Sequence, residues 1–241
     1  MIKSFPLLLI ALIVFCCAKN DRVNDNFIIQ NVRVFDGESI VESRSVRVIN
    51  GIITAIGPNL QPETSEVVID GTAKTLIPGL INAHVHAGSE RDLEEAAQAG
   101  VLVLFDLLNT DPVNANRLRK LGEELDKAYY YSSGPVVTVP GSHGTQFGPV
   151  PTVSSPSEVE ELVRARQKEG SDHIKIIFER GGPNNPMPSI DSTYVRAAAE
   201  VASTMGLTTV VHASRQEDAF ASIRAGANGL AHMWRRKASP I

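Results

Sequence analysis

The sequence predicts an α/β chain: an incomplete (β/α) TIM barrel preceded by a small β-sandwich module. Short β-branched runs that end in a polar residue recur, as in HIKIIF, TTVVHAS and NGLAHMW, and helical stretches of crossover length separate them. This alternation predicts parallel strands whose carboxyl ends share one face, where α/β barrels carry their chemistry. With 241 residues, 43% of them hydrophobic, the chain is long enough for a sizeable core, and its net charge of −4 does not predict nucleic-acid binding.

The first 18 residues are predicted to be an export signal. Lys3 precedes an apolar run over residues 5–15, which is too short to span a bilayer comfortably and ends at CCAKND. Two outcomes stay open: cleavage before Cys17 with a lipid attached to its sulfur, or ordinary cleavage after Ala18. The pattern favours the lipoprotein, although Phe15 departs from the usual bacterial lipobox. We therefore expect an exported protein, periplasmic or anchored to a membrane through Cys17, with residues 19–26 as a linker.

Residues 27–75 are rich in β-forming residues and predict the β-sandwich module. Asn50 and Gly51 lie between two apolar runs, and Asn-Gly in that setting is the strongest short signal for a hairpin. Asp-Gly pairs at positions 36–37 and 70–71 predict further turns. The second of these turns leads the chain into the barrel at residue 76.

The barrel domain, residues 76–241, is predicted to alternate strands and helices through six strands. The strands are apolar and often β-branched, and are expected at residues 76–83, 101–105, 135–139, 173–178, 208–212 and 229–232. The helices return the chain between strands and are expected at residues 91–99, 114–127, 157–168, 193–205 and 217–225. A glycine-rich loop, residues 141–148, follows the third strand.

Histidines at the ends of these strands predict a metal site. His84 and His86 are two residues apart, so they face the same side of the first strand and can bind one ion together. His212 and His232 end the fifth and sixth strands. Lys175 lies between two isoleucines in a buried run, where an unpaired ammonium is costly, so it requires a partner or a modification. Both cysteines fall in the leader, so the rest of the chain offers no thiolate.

These residues lie in segments that resemble the amidohydrolase superfamily, and more narrowly its imidazolonepropionase-like and Xaa-Pro dipeptidase-like members. The segments are NVRVFDG, IPGLINAHVHAG, SDHIKII followed by GG, VVHAS and GLAHMW, and they extend over nearly everything after the leader. The HxH pair alone is a weak signal, but five ligand-type residues on four strands in this order are specific. The resemblance implies a metal-dependent hydrolase that acts on an amide or peptide-like C–N bond of a small-molecule or dipeptide-like substrate.

The resemblance also implies a ligand set. His84 and His86 would bind one divalent ion, His212 and His232 a second, and Lys175 would bridge the two. In similar enzymes that lysine is carboxylated by carbon dioxide, because an ammonium has no lone pair whereas a carbamate supplies two anionic oxygens. In such a two-metal site, water loses a proton near neutral pH and attacks a polarised carbonyl. Zinc is the default ion for imidazole and carboxylate-type ligands, so we expect two zinc ions.

One element of the family pattern is absent from this sequence. Enzymes of this kind place a proton-transferring aspartate at the end of strand eight, whereas only MWRRKASPI follows the predicted strand six. Because a complete barrel takes ~250 residues, we expect a fragment or a frameshifted product. Two functions therefore stand: an exported metal-dependent hydrolase, or a truncated, non-catalytic remnant that binds metal. A third, less favoured, is a dipeptide-binding lipoprotein with structural metals.

Further polar residues leave alternatives open. His143, in the glycine-rich loop, is equally a candidate for substrate binding and for a flexible surface loop. Arg215 is suited to a substrate carboxylate, although single charges in loops, Arg215 and Glu179 among them, are more often ordinary surface residues. Asp106 ends the second strand and either contacts the site, as the nearest carboxylate for proton transfer, or caps the next turn. His173 is expected to be structural.

Overall fold

The computed structural model describes residues 26–234, which form two compact units divided between Pro78 and Gly79. The predicted export signal, including Cys17, lies outside the described residues, as does all but the last residue of the predicted linker. Within residues 26–234 no helix is both long enough and apolar enough to cross a membrane. Export and lipidation therefore stay predictions.

The first unit is a mixed sheet in which a central strand is paired on both sides. Its strands are β1 (Phe27–Phe35), β2 (Ile40–Ile49), β3 (Ile52–Gly57), β4 (Val67–Asp70) and β5 (Thr75–Leu76). The order is β3-β2-β1-β4, with β5 also paired to β1. The pairs β1–β2 and β2–β3 are antiparallel, whereas β4 and β5 run parallel to β1.

The predicted turns of this unit follow from local chemistry. Asn50 and Gly51 join β2 to β3 with φ of 50° and 76°, so the predicted hairpin is confirmed. At the first Asp-Gly turn, Asp36 accepts hydrogen bonds from the backbone of Glu38 and Ser39. At the second, a Cβ on Gly71 would lie 2.6 Å from the Cβ of Val32, so this close approach requires glycine.

All five strands of this unit belong to one sheet, so no strand within residues 26–78 remains to form the second layer of the predicted β-sandwich. Valines of β1 and β2 make its small buried cluster, with Val46 fully buried. Other apolar side chains stay exposed: Ile52, Ile53, Ile56, Val67 and Val68. The described module is thus a single sheet with an uncovered apolar surface.

The second unit alternates strands and helices. Its elements are β6 (Leu80–Val85), α1 (Glu90–Gln98), β7 (Val101–Asp106), α2 (Pro112–Leu121), β8 (Tyr129–Ser132), α3 (Val159–Lys168), β9 (His173–Ile177), β10 (Gly181–Gly182), β11 (Asn185–Pro186), α4 (Ser192–Thr204), β12 (Thr208–His212), α5 (Gln216–Arg224) and β13 (Gly229–Leu230). The strands form the parallel sheets β6-β7-β8 and β9-β12-β13 and a small antiparallel hairpin, β10-β11. The chain is therefore a mixed α/β protein, and the described residues show no closed barrel.

The third barrel strand lies earlier than predicted. The sequence places it at residues 135–139, whereas the structure forms β8 at Tyr129–Ser132 and then turns at Gly134, whose φ is 62°. Beyond this turn Val137 makes an isolated parallel bridge to Ile176 of β9. Its amide donates to the carbonyl of Lys175 at 2.8 Å, and Ile177 donates back to Val137 at 3.0 Å. This bridge connects the two parallel sheets.

The larger core of this unit lies around β9 and β12. Helix α4 buries Val195, Ala198, Ala199 and Ala202, and their spacing puts all four on one helix face. Val195, Ala198 and Ala202 of that face belong to the same apolar cluster as the buried strand residues Ile174, Ile176 and Val211. The carboxyl ends of the strands are thereby held in place, and the polar residues at those ends form the candidate site.

Candidate functional site

A cavity of about 620 Å³ opens in the second unit, at the carboxyl ends of strands from both parallel sheets. Its walls include apolar side chains such as Leu107, Phe147 and Ile177. The cavity is also lined by the basic side chains that the sequence singles out: His84, His86, His143, Lys175, His212 and His232. The fold therefore brings together residues that are up to 148 positions apart, from His84 to His232.

His84 and His86 leave the end of β6 with their ring centroids 5.3 Å apart and their planes at 79°. Nδ1 of His84 lies 3.1 Å from the carbonyl oxygen of Ala231. Because a carbonyl oxygen can only accept, Nδ1 of His84 carries the proton and its Nε2 keeps a lone pair. Burial, followed by the charge of Lys175, lowers the pKa of His84, so the ring is available as a neutral ligand.

Lys175 lies in the middle of β9 with only 3% of its surface exposed. Within residues 26–234 its Nζ has no hydrogen-bond or ion-pair partner, although Asp106 acts on it through space. Burial lowers the pKa of Lys175 to about 8. A lysine with so low a pKa has a larger neutral fraction at pH 7 than an exposed lysine, and the neutral amine is the nucleophilic form.

His212, at the end of β12, is enclosed by polar partners. Its Nδ1 is 2.8 Å from Nε2 of His232, and its Nε2 is 3.3 Å from a carboxylate oxygen of Glu179. Burial, followed by the charges of His232 and His143, lowers the pKa of His212 to about 4, so the ring is neutral near pH 7. The ring of His84 stacks 6.0 Å from that of His232. The histidines at the ends of three separate strands therefore lie side by side.

His143 reaches the cavity from the glycine-rich loop. Its ring centroid lies 4.8 Å from that of His212 and 5.7 Å from that of Phe147. Its Nδ1 is 2.9 Å from Nε2 of Gln146. The structure thus places this loop histidine at the site, although its role in substrate binding stays a prediction.

Asp106 is fully buried where β7 ends, directly behind His86. Its carboxylate accepts hydrogen bonds from the backbone amides of Ala87 and Leu108 and from the hydroxyl of Tyr130, at 3.1, 2.8 and 2.8 Å. Burial raises the pKa of this carboxyl. The nearest contact with His86 is 3.9 Å, which is too long for a hydrogen bond. Asp106 therefore ties the ends of β6, β7 and β8 together behind the cavity.

Arg215 lies beside the cavity and contacts the β10-β11 hairpin. Its Nη2 donates to the carbonyl of Gly181 at 2.6 Å, and its Nη1 is 3.9 Å from Glu217. Arg215 is not among the residues that line the cavity. Its guanidinium therefore holds backbone in this structure, and substrate recognition by Arg215 stays a prediction. His173 is buried as expected, with Nε2 3.1 Å from the carbonyl of Asp106.

The types of side chain at the cavity suit a divalent cation, but they are not arranged as a formed metal site. Within residues 26–234, no group of three or more His, Cys, Asp or Glu side chains is arranged to hold an ion. His212 and His232 hydrogen-bond to each other instead. Imidazoles beside a buried amine are nevertheless the donor types of a zinc site completed by a carbamate. The ligand roles, the carboxylation of Lys175 and the number of ions stay predictions.

Sequence reasoning underestimated two carboxylates at this site. Glu179, expected to be an ordinary surface residue, is 9% exposed and contacts His212. It lies two residues beyond the end of β9, just as His232 lies two residues beyond β13 and His86 one residue beyond β6, and this place after a strand was the available signal. Asp106 combines both alternatives considered for it, since it lies behind the site and also caps the following turn at Leu108.

No protein-family profile matches the chain. Among curated proteins, it is 28% identical over 132 residues to a dihydroorotase of Geobacillus sp. (strain WCH70), an alignment that covers 50% of this chain and 31% of the relative. It is 25% identical over 198 residues to a dihydroorotase of Geobacter metallireducens, an alignment that covers 78% of this chain and 42% of the relative. It is 32% identical over 80 residues to a probable imidazolonepropionase of Homo sapiens, an alignment that covers 31% of this chain and 18% of the relative. The chain thus spans less than half the length of these relatives.

Solved structures resemble it more extensively. A Xaa-Pro dipeptidase with methionine bound in its active site superposes with a TM-score of 0.75 at 23% identity, covering 85% of this chain and 61% of that one. A putative prolidase from Bifidobacterium longum gives a TM-score of 0.70 at 23% identity, covering 86% and 54%. The ochratoxinase of A. niger gives 0.71 at 18% identity, covering 86% and 60%. At these identities the likeness establishes the fold.

Proposed function

Since this chain belongs to the amidohydrolase superfamily, we propose that it is the metal-holding part of a hydrolase that cleaves an amide or peptide-like C–N bond. The observation that carries the proposal is the cavity that His84, His86, His212 and His232 line together with the buried Lys175. The proteins that the chain resembles are enzymes of C–N bond chemistry, and this does not favour the alternative of a non-catalytic remnant.

We further propose that the two parallel sheets are six strands of a (β/α)₈ barrel. Hydrogen bonds between neighbouring strands continue across the boundary between the sheets, through Val137 and Ile176 and through the amide of Asp172, which donates to Ser132. The parallel strands on each side are connected through helices, as the barrel topology requires. The chain covers about three fifths of the Xaa-Pro dipeptidase structure that shares this fold.

The ligand set we propose is His84 and His86 for one divalent cation, His212 and His232 for a second, and Lys175 between them. Cations bound there, with zinc as our proposal, would polarise a substrate carbonyl and lower the pKa of water. The chain itself prepares the ligands, since burial keeps His84 and His212 neutral. The hydrogen bond to Ala231 fixes the tautomer of His84.

Lys175 would complete the set by carbamate formation. Its neutral Nζ attacks the carbon of carbon dioxide, an N–C bond forms, and one proton leaves to solvent. The product carries two oxygens that share one negative charge, in place of an amine that is cationic when protonated. The lowered pKa of Lys175 favours this step because burial increases the neutral fraction of the amine.

A small-molecule or dipeptide-like substrate fits the size of the cavity, about 620 Å³, and its mixture of apolar walls and imidazoles. We also propose that the mature protein is exported and anchored through a lipid on Cys17. Replacement of Cys17 by Ser would then abolish incorporation of labelled palmitate in a bacterial host and release the protein from the membrane fraction. Incorporation that persists in Cys17→Ser would contradict the anchor.

Metal content and turnover test the proposed hydrolase. The purified chain would be loaded with zinc or cobalt and assayed on Xaa-Pro dipeptides, N-acyl amino acids and cyclic amides, with the surface variant Arg91→Ala as control. We expect bound metal and hydrolysis that both disappear in His86→Asn and His212→Asn but persist in Arg91→Ala. Metal binding without turnover on any of the three substrate classes would support the remnant instead.

A further inference from the structure

The glycine-rich loop contains a side-chain contact that fixes the chemistry of His143. The backbone N–H of Gly144 donates to Oε1 of Gln146 at 2.7 Å. Because a backbone N–H can only donate, the side-chain atom that faces it is the amide oxygen. The orientation of the Gln146 amide is therefore determined by the loop backbone, and its NH₂ group is the end that faces His143.

The same amide determines where the imidazole carries its proton. Nε2 of Gln146 lies 2.9 Å from Nδ1 of His143. An amide NH₂ group can only donate, so Nδ1 of His143 must accept and carries no proton. The proton of the neutral ring is then on Nε2. In the described part of the chain, Nε2 of His143 has no hydrogen-bond partner, and the ring lines the cavity.

The loop is built tightly enough to keep this arrangement. Gly144 has φ of 101°, and a Cβ at this position would lie 2.6 Å from Cδ1 of Ile177 in β9. The hydroxyl of Thr145 donates to the carbonyl of Ser142 at 2.8 Å. The loop therefore holds Gln146 against His143 without help from a ligand.

We propose that Gln146 is a positioning residue that fixes His143 as the Nε2–H tautomer, so that the site presents a hydrogen-bond donor to an acceptor oxygen of the substrate. The second half of this proposal rests on the proposed hydrolase, whereas the tautomer itself does not. A donor at this place selects a carbonyl or carboxylate oxygen and disfavours a donor such as an ammonium or amide N–H, which would leave two donors facing each other.

Gln146→Glu is the discriminating variant. A carboxylate has nearly the same shape and still accepts from the N–H of Gly144, but it cannot donate to Nδ1. At alkaline pH, where the imidazole is neutral, the ring should therefore move its proton to Nδ1 and donate to the carboxylate. Gln167→Glu, an exposed substitution on α3, makes the same chemical change away from the loop and serves as the control.

The tautomer is measured by NMR of the full chain labelled with ¹⁵N-histidine, with His143→Asn used to identify the His143 signals. We expect a protonated Nε2 and an unprotonated Nδ1 in the wild type and in Gln167→Glu, and the reverse in Gln146→Glu. An Nδ1–H tautomer in the wild type, or a tautomer unchanged in Gln146→Glu, would overturn the proposal.

Turnover separates the two halves of the inference. With an N-acyl amino acid that the wild type hydrolyses, we expect kcat/KM to fall roughly tenfold in Gln146→Glu, the loss of about one hydrogen bond to the substrate, and to stay unchanged in Gln167→Glu. A reversed tautomer without loss of kcat/KM would refute the role toward the substrate. If the wild type hydrolyses nothing, the proposed function fails while the NMR result still decides the positioning role.

Discussion

Two buried lysines in this chain have opposite electrostatic environments. Lys127 is 8% exposed and lies within 4 Å of the carboxylates of Glu90, Glu94, Glu124 and Asp126, and its side-chain hydrogen bond with Glu124 is the main cause of its raised pKa. Lys175 is 3% exposed and has no such partner among residues 26–234, and burial lowers its pKa. Lys127 is therefore explained as an ion-paired cation, whereas the environment of Lys175 is consistent with the bridging role proposed for it.

This contrast gives a prediction for Lys175. Lys175→Ala should lose the bridged metal pair and nearly all hydrolysis, while Lys175→Glu should retain part of both because it restores an anionic oxygen ligand. When the metal-free wild type is loaded with zinc, added bicarbonate should raise the activity that is recovered. Elemental analysis and turnover check these outcomes, with Lys127→Ala as the matched control that keeps its metal. Full activity in Lys175→Ala would rule out the bridging role.

For single residues, the sequence predicted the candidate metal ligands but not the side chains that contact them. The HxH spacing and the isolated Lys175 predict which side chains meet, because strand geometry puts them on one face. Two contacts depend instead on the conformation of loops: that of His212 with Glu179, and that of Gln146 with His143. Loop conformation is not encoded in a period of two or 3.6 residues, so these contacts could not be predicted.

Among the elements, α4 depends on its first residues. The carboxylate of Asp191 caps this helix by accepting from the amide and the hydroxyl of Thr193 at 2.7 and 2.5 Å. The hydrogen bond from the Thr193 hydroxyl, and then that from its amide, lowers the pKa of Asp191 below the ordinary 3.8. A carboxylate with a depressed pKa contributes stability that is present above its unfolded-state pKa and is lost as the pH falls through the folded-state value.

We therefore expect Asp191→Ala to lower the free energy of unfolding by ~1 kcal/mol at neutral pH. The difference from the wild type should begin to shrink as the pH falls below about 4, where the carboxyl of the unfolded chain becomes protonated. It should be lost once the pH also falls through the lower folded-state pKa of Asp191. Asp191→Asn is the control, because its amide oxygen still caps the helix without a titrating group. Urea denaturation at several pH values measures both, and a difference that grows on acidification would contradict this account.

In the β10-β11 hairpin, Gly181 occupies a position where no larger residue fits, whereas the neighbouring Gly182 does not. Gly181 has φ of 69°, and a Cβ there would lie 2.1 Å from the carbonyl of Asn185, whereas a Cβ on Gly182 would meet nothing within 4 Å. Gly181→Ala should therefore cost ~1–3 kcal/mol of unfolding free energy, and Gly182→Ala well under 1. Because Gly181 also contacts Glu179, the first variant should weaken metal binding at the neighbouring His212. Thermal melts and zinc titration compare the two, and equal effects would contradict the steric explanation.

Most elements of the second unit could be predicted from the sequence, because apolar β-branched runs and crossover lengths mark them. The third strand could not. The run at residues 135–139 is the more apolar one, yet pairing selected Tyr129–Ser132, which packs beside β7 in register from Val103 to Asp106. Register is decided by the partner strand, and a single sequence does not contain that information.

On the scale of the whole molecule, uncovered apolar surface is the main feature. Strand residues that are about half exposed occur in both units, among them Ile52, Ile53 and Val68 in the first and Leu80 and Ile81 in the second. Exposed apolar patches and unpaired strand edges favour association. The sequence predicts where these strands lie, but their exposure depends on which strands cover them.

We expect the 241-residue chain to self-associate at micromolar concentration when expressed as given. Ile53→Lys should reduce this association, because it puts a charge on the exposed sheet surface. Val113→Lys is the control, because Val113 is also exposed, at 79%, but lies on helix α2 and not on the sheet. Sedimentation velocity measures the difference. A monodisperse monomer in the unsubstituted chain would refute the expectation.

The bridge between Val137 and Ile176 has a consequence for hydrogen exchange. Two hydrogen bonds make this bridge, one to the carbonyl of Lys175 and one from the amide of Ile177, and they flank Ile176, the residue that follows Lys175 in β9. An opening motion that separates the two sheets at this point must break both hydrogen bonds together. The amides of Val137 and Ile177 should therefore exchange with deuterium at matched free energies, below those of amides inside β9 and β12, and metal bound at Lys175 should slow both by the same factor.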